Sequence, residues 1–180
     1  MKDSQHGYNA LSIWLHWLSA IIIIVLFILG QAAEDAADAK RKNLLGLHIS
    51  IAMSMYLVLL ARIAWRALNG RPKLPSQQSK MLRALAYWIP IILLTGLALM
   101  LISGPIMVWT KGFAINIFGL LSLPSPFGKI DTLNEIFGLM HKIGAKMLLF
   151  AFSLHLLGVI KHILVDRENV LKKMLKPIKE

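Results

Sequence analysis

The chain has 180 residues, 57% of them hydrophobic and only 16% charged, which excludes an ordinary soluble domain and indicates an integral membrane protein. Its formal net charge of +11 would suit nucleic acid, but most of the excess stands beside the ends of apolar runs, where it meets anionic lipid headgroups, so no nucleic-acid partner is expected. The absence of cysteine excludes disulfides, iron–sulfur clusters and thiolate zinc sites together.

A helix satisfies its own backbone polar groups in lipid, and no alternating barrel strands are visible. The expected fold class is therefore all-α, an integral membrane four-helix bundle forming a single domain over residues 1–180. The first apolar run covers about residues 11–30, with Trp14 and Trp17 near its start as interface anchors. Gly30, Ala32 and Ala33 after it would also suit a secretory signal, but the run is too long for one, and the charges of Lys2 and Asp3 cancel. The second run covers about 44–65, the third 81–103 and the fourth 136–164. Four spans place both termini on one side. The flanks of that side carry thirteen of the twenty lysines and arginines, which predicts cytoplasmic termini.

Between the third and fourth runs, residues 105–134 form a long apolar loop containing Trp109, Phe113, Ile115, Ile117, Phe118 and Phe127. It is expected to fold onto the outer membrane interface as a lid, with Pro124, Ser125, Pro126 and Gly128 marking a turn that ends its amphipathic part. A docking surface for a periplasmic redox partner is the competing use.

The histidines carry most of the functional signal. His141 and His155 stand fourteen residues apart on the fourth run, about 21 Å along the axis and on nearly one face. Helix direction alternates, so His16 lies at the inner level and His48 at the outer, matching His155 and His141 respectively. A lone membrane histidine is commonly a helix-end group or one bonded to a neighbouring carbonyl. Two depth-matched pairs instead point to two cofactors, because ionisable groups within lipid are costly and imidazole ligates iron well. Without a Cys-x-x-Cys-His motif, any haem here is held non-covalently. Gly46, Gly144, Ala145, Ala151 and Gly158 flank these positions and leave room for a flat macrocycle, although small residues serve ordinary helix packing equally well. Met53, Met55, Met100 and Met147 suit packing better than ligation.

Arg62 stands fourteen residues after His48 and should project from nearly the same face at the inner level, where it either pairs with a haem propionate or snorkels. For Arg66 snorkelling is the preferred account. His162, seven residues past His155, is placed at the cytoplasmic interface, where it could donate to a quinone carbonyl or simply be solvated. Lys111, Lys129, Lys142 and Lys146 would draw an anionic one-electron donor to the outer face, partly opposed by Asp131 and Glu135. His6 in the polar amino-terminal tail is given no role.

On Leu15-His16-Trp17-Leu18-Ser19-Ala20, Leu47-His48-Ile49-Ser50, Arg62-Ile63-Ala64-Trp65-Arg66, the His141 to His155 interval, and Lys161-His162 through Asp166-Arg167-Glu168, the chain resembles the bacterial cytochrome b561 family, over essentially its whole length. That resemblance implies a multi-pass protein of the bacterial inner membrane that binds two haem b groups through the iron-ligating histidines His16, His48, His141 and His155. It also implies a superoxide oxidase-like oxidoreductase that takes electrons from superoxide outside and passes them to ubiquinone, with His162 as a quinone-site candidate. Two departures from the family pattern stand out. The third run reads Arg83-Ala84-Leu85-Ala86-Tyr87-Trp88 where a histidine is often found, and no basic residue directly precedes His16. An electron conduit serving a periplasmic redox partner, and a histidine-relay transporter or proton channel, are the alternative functions.

Overall fold

The computed structural model describes residues 3, 7–69, 79–167 and 170–177; Lys2, His6, Arg71, Lys73, Glu168 and Lys179 lie outside them. Its long helices are α1 (Ala10–Glu34), α2 (Asp38–Ser54), α3 (Tyr56–Leu68), α4 (Lys80–Thr110) and α5 (Asp131–Leu164), followed by a single turn, α6 (Val170–Lys173). Among the described residues, α1, α4 and α5 are long and apolar enough to cross a membrane, and α2 with α3, bent by 48°, meets the same length and composition when taken as one span. The apolar surface is largely turned outward, with Ile21, Ile28, Leu57, Phe150 and Leu157 all exposed, as expected for a bundle whose surrounding solvent is hydrocarbon.

Local chemistry sets the helix boundaries. Asn9 caps α1 by accepting a hydrogen bond from the Ser12 amide (2.8 Å). The break at Met55 follows Ser54, whose hydroxyl bonds back to the Ser50 carbonyl (2.8 Å) and competes with the helical ladder there. The third span does not stop near residue 103 as expected but continues through Pro105 to Thr110. A proline in that position leaves the Leu101 carbonyl without its helical donor, and the Tyr56 hydroxyl supplies a replacement (3.3 Å).

The rest of the apolar loop turns back on itself. It is a β-hairpin of β1 (Ile115–Ile117) and β2 (Leu121–Leu123), antiparallel with Asn116 opposite Ser122. Phe118 and Gly119 take φ of 50° and 72°, the positive pair that a tight hairpin turn demands, and the Leu120 amide closes the turn on the Ile117 carbonyl (2.9 Å). The base is fastened by the backbone bridge of Lys111 with Lys129 and by bonds from the Ile130 amide to the Thr110 carbonyl (2.8 Å) and from Asn134 Nδ2 to the Met107 carbonyl (2.6 Å).

Helices α4 and α5 form the most extensive contact. Gly96 and Gly144 let them approach, because a Cβ on either would lie within about 3 Å of Leu148 or of the Met100 sulfur. Ile22, Leu59, Leu97 and Leu101 make the buried cluster, with Met55 and Tyr56 packed against it. Asp3 and Met174 lie at one end of the bundle. Trp17 Nε1 donates to the Met174 carbonyl (2.7 Å), and Asp3 pairs with Arg66 near the end of α3 (3.4 Å). We call this the terminal side and the opposite one the hairpin side.

Candidate functional site

The four membrane histidines meet in two pairs. On the hairpin side, the rings of His48 from α2 and His141 from α5 have centroids 6.4 Å apart. On the terminal side, His16 from α1 and His155 from α5 are 6.3 Å apart. The apolar cluster of Ile22, Leu59 and Leu97 falls between them in helix order, so two polar levels are separated by a hydrocarbon layer.

This spacing suits a shared metal. An imidazole nitrogen binds a transition metal at about 2 Å, so two rings on opposite sides of one metal have centroids roughly 6.3 Å apart. Among the described residues, no three His, Asp or Glu side chains converge, so each pair would supply two ligands and no more. A metal that brings further ligands of its own, as iron does in haem, would need only such a pair of imidazoles from the protein.

On the hairpin side the hydrogen bonds also assign the tautomers. His48 Nδ1 lies 2.9 Å from the Leu26 carbonyl, which can only accept, so Nδ1 carries the proton. Ser103 is fully buried and donates its hydroxyl proton to the Leu99 carbonyl (2.6 Å); it therefore accepts from His141 Nδ1 (3.0 Å). Both imidazoles keep the Nε2 lone pair for a metal. Gly30 and Gly104 line the same level, where a Cβ would stand 3.7 Å and 3.4 Å from the Cε1 atoms of His48 and His141.

The terminal side is built differently. Arg62 Nη2 donates to His16 Nδ1 (3.3 Å), and the Trp17 ring meets His16 edge-on. Arg62 thus reaches the terminal-side histidine level, on the imidazole itself. Arg66 does not snorkel. Its side chain is 9% exposed, pairs with Asp3, which is 1% exposed, and lies over the Tyr8 ring (5.7 Å). Asp3 also accepts from Ser12 Oγ (2.8 Å), which in turn accepts from Trp65 Nε1 (2.7 Å). This network ties Asp3 to the ends of α1 and α3.

At the end of α5, Asp166 accepts from Lys161 Nζ and from His162 Nδ1 (2.7 and 2.8 Å). The Lys161 ammonium holds the Asp166 carboxyl below its usual range. Lys111 lies exposed at the foot of the hairpin, eight residues beyond Ser103 and so roughly 12 Å along α4 from the level of His141.

The small residues divide in function. Gly144 serves helix packing, whereas a Cβ at Gly46 or Gly158 would meet nothing within 4 Å. Sequence reasoning missed Ser103, Gly30, Gly104 and Asp3. Ser103-Gly104-Pro105 is a small-residue stretch in the sequence, the signal by which Ser103 and Gly104 could have been found.

Residues 7–177 match the family described as prokaryotic cytochrome b561. The chain belongs to that family. Cytochrome b561 homolog 2 of Escherichia coli (strain K12) is 28% identical over 175 residues, covering 96% of this chain and 93% of the relative. The probable superoxide oxidase of Yersinia pestis is 24% identical over 174 residues, 93% of this chain and 95% of its own length. Cytochrome b562 of Cereibacter sphaeroides is 33% identical over 75 residues, 38% of this chain and 48% of that protein. Membership makes the chain a multi-pass bacterial membrane protein of electron transfer and implies b-type haem.

Proposed function

We propose that His48 with His141 and His16 with His155 each ligate one haem b, and that the chain carries electrons across the inner membrane from periplasmic superoxide to ubiquinone. The observation that carries this reading is the equal spacing of the two pairs, 6.4 and 6.3 Å, with the hairpin-side tautomers set for ligation through Nε2. Bound haem would supply one-electron redox chemistry within the lipid.

The chain's own residues do the rest. Leu26 and Ser103 fix the hairpin-side rings, and Ile22, Leu59, Leu97 and Leu101 keep water from the interval between the levels. Arg62 is the cation available to a propionate carboxylate on the terminal side. In this orientation the termini are cytoplasmic and the hairpin periplasmic, in line with the basic flanks. Two superoxide ions lose one electron each to become O2. Ubiquinone gains both electrons and two protons from the cytoplasmic side. His162, whose Nδ1 meets Asp166, would hand on such a proton, and Lys111 would add positive charge for an arriving superoxide.

Stopped-flow mixing of the purified protein with superoxide tests this. Reduction of the haem absorption bands within the mixing experiment, followed by ubiquinol formation that falls in His162→Ala, is the expected result. Haem that dithionite reduces but superoxide does not would replace this reading with a conduit for a periplasmic redox partner. A purified protein with no Soret band would reject haem altogether and leave the histidine relay.

A further inference from the structure

Residues 112–128 contain no acidic, basic or histidine side chain, and they are bounded on each side by a lysine. Phe113, Phe118, Leu120 and Leu121 on this segment are between 53% and 90% exposed, with Leu120 at the upper limit. Ile115, by contrast, is 1% exposed and fixes β1 against the bundle. An uncharged apolar surface of this kind needs an occupant.

Its depth identifies one. The Phe118 amide donates to Ser50 Oγ (3.0 Å), and Ser50 Oγ donates to the Asn116 carbonyl (3.1 Å). Ser50 stands six residues past Leu44, where the apolar run of the second span begins. At 1.5 Å per residue the hairpin turn therefore reaches about 9 Å along α2 beyond that boundary. Backbone at such a level is tolerated only where protein satisfies its polar groups, and the Ser50 hydroxyl does so for an amide and a carbonyl at the turn. The two lysines at the base are held together by the Lys111–Lys129 bridge, and Lys129 Nζ also meets Asp131 (3.1 Å). Ammonium groups beside an uncharged tip are the arrangement that meets lipid phosphate while the tip enters the acyl boundary.

We infer that the β1–β2 hairpin is a lipid-seated wedge: residues 118–121 lie in the headgroup–acyl boundary of the leaflet on the hairpin side, with Lys111 and Lys129 at the phosphates. The occupant of the apolar surface is lipid, and the turn ties that leaflet to α2 two residues from His48.

The cysteine-free chain permits a direct test. Leu120→Cys, Leu121→Cys and, as a water-exposed reference on α2, Lys40→Cys each carry a nitroxide label in the full-length protein. They are measured in nanodiscs of phosphatidylethanolamine and phosphatidylglycerol. The label at Leu120 or Leu121 should collide several-fold more with oxygen than with a water-soluble nickel chelate, and the order should reverse at Lys40. Labels at both hairpin positions that respond to the nickel chelate as Lys40 does would overturn the inference. So would labels shielded from nickel only after a periplasmic redox protein is added, which would assign the surface to a protein. Because the readout is depth alone, failure of the superoxide reaction leaves this result unaffected.

Discussion

The two histidine pairs share a spacing, 6.4 Å on the hairpin side and 6.3 Å on the terminal side, yet His16 is opposite to His48 and His141 in hydrogen-bond polarity at Nδ1. On the hairpin side, Leu26 and Ser103 accept protons from both rings, which leaves Nε2 ready to bind a metal. On the terminal side, Arg62 can only donate, so a neutral His16 that accepts from it carries its own proton on Nε2. Ligation through Nε2 there requires Arg62 to give up Nδ1, and a carboxylate is the partner a guanidinium prefers. Equal distances therefore conceal one pair with both Nε2 lone pairs available and one in which Nδ1 of His16 is held by a cation.

The comparison breaks most decisively at the ligands themselves. His141→Ala should leave about one haem b per chain in place of two, with the terminal-side pair retained, as read by pyridine haemochrome content. His155→Ala should remove the other. Loss of both haems in either variant, or of neither, would dissolve the two-site picture.

A smaller effect separates the shells around the ligands. Ser103→Ala removes the acceptor for His141 and should weaken haem retention on the hairpin side by about 10–100-fold, with a shifted EPR signal for one haem only. Ser103→Thr, which keeps the hydroxyl, should restore much of it. Arg62→Gln should leave the hairpin-side signal unchanged and alter only the terminal-side one. If Ser103→Ala and Arg62→Gln perturb the same signal, the difference in polarity between the two levels has no functional meaning.

The network beside Arg62 sharpens the contrast in stability. Asp3→Ala removes a carboxylate partner of Arg66 and the acceptor of Ser12, a loss of about 1–3 kcal/mol in thermal or denaturant unfolding. The smallest effect is expected from Asp166. Its carboxyl is held below the ordinary range by Lys161, so any stabilisation it gives is complete above an unfolded pKa of about 3.9 and disappears only as pH falls through the lower folded value. Asp166→Asn should therefore leave the melting temperature flat between about pH 5 and 8. A change in the pH profile of ubiquinol formation over the same interval would show that Asp166 acts through His162.

Four apolar runs, their alternation and the depth matching of His16 with His155 and His48 with His141 were all legible in the sequence. Helical rise converts residue spacing directly into depth, and lipid demands helices. The bend at Met55 and the hairpin were not legible. Pro105 looks like a helix end until Tyr56 is seen to satisfy the carbonyl it orphans, and β1 and β2 are each three residues long, too short for alternation to register.

The sequence by itself determined the levels at which polar chemistry sits in this membrane protein, because periodicity and hydropathy are properties of short windows. Only the tertiary structure decided what each imidazole bonds to. Leu26 is 22 residues from His48, Ser103 is 38 from His141, and Arg62 is 46 from His16. Contacts over such separations arise from how helices pack: a carbonyl and a hydroxyl that accept hold the proton of His48 and His141 on Nδ1, whereas a guanidinium that donates holds that of His16 on Nε2.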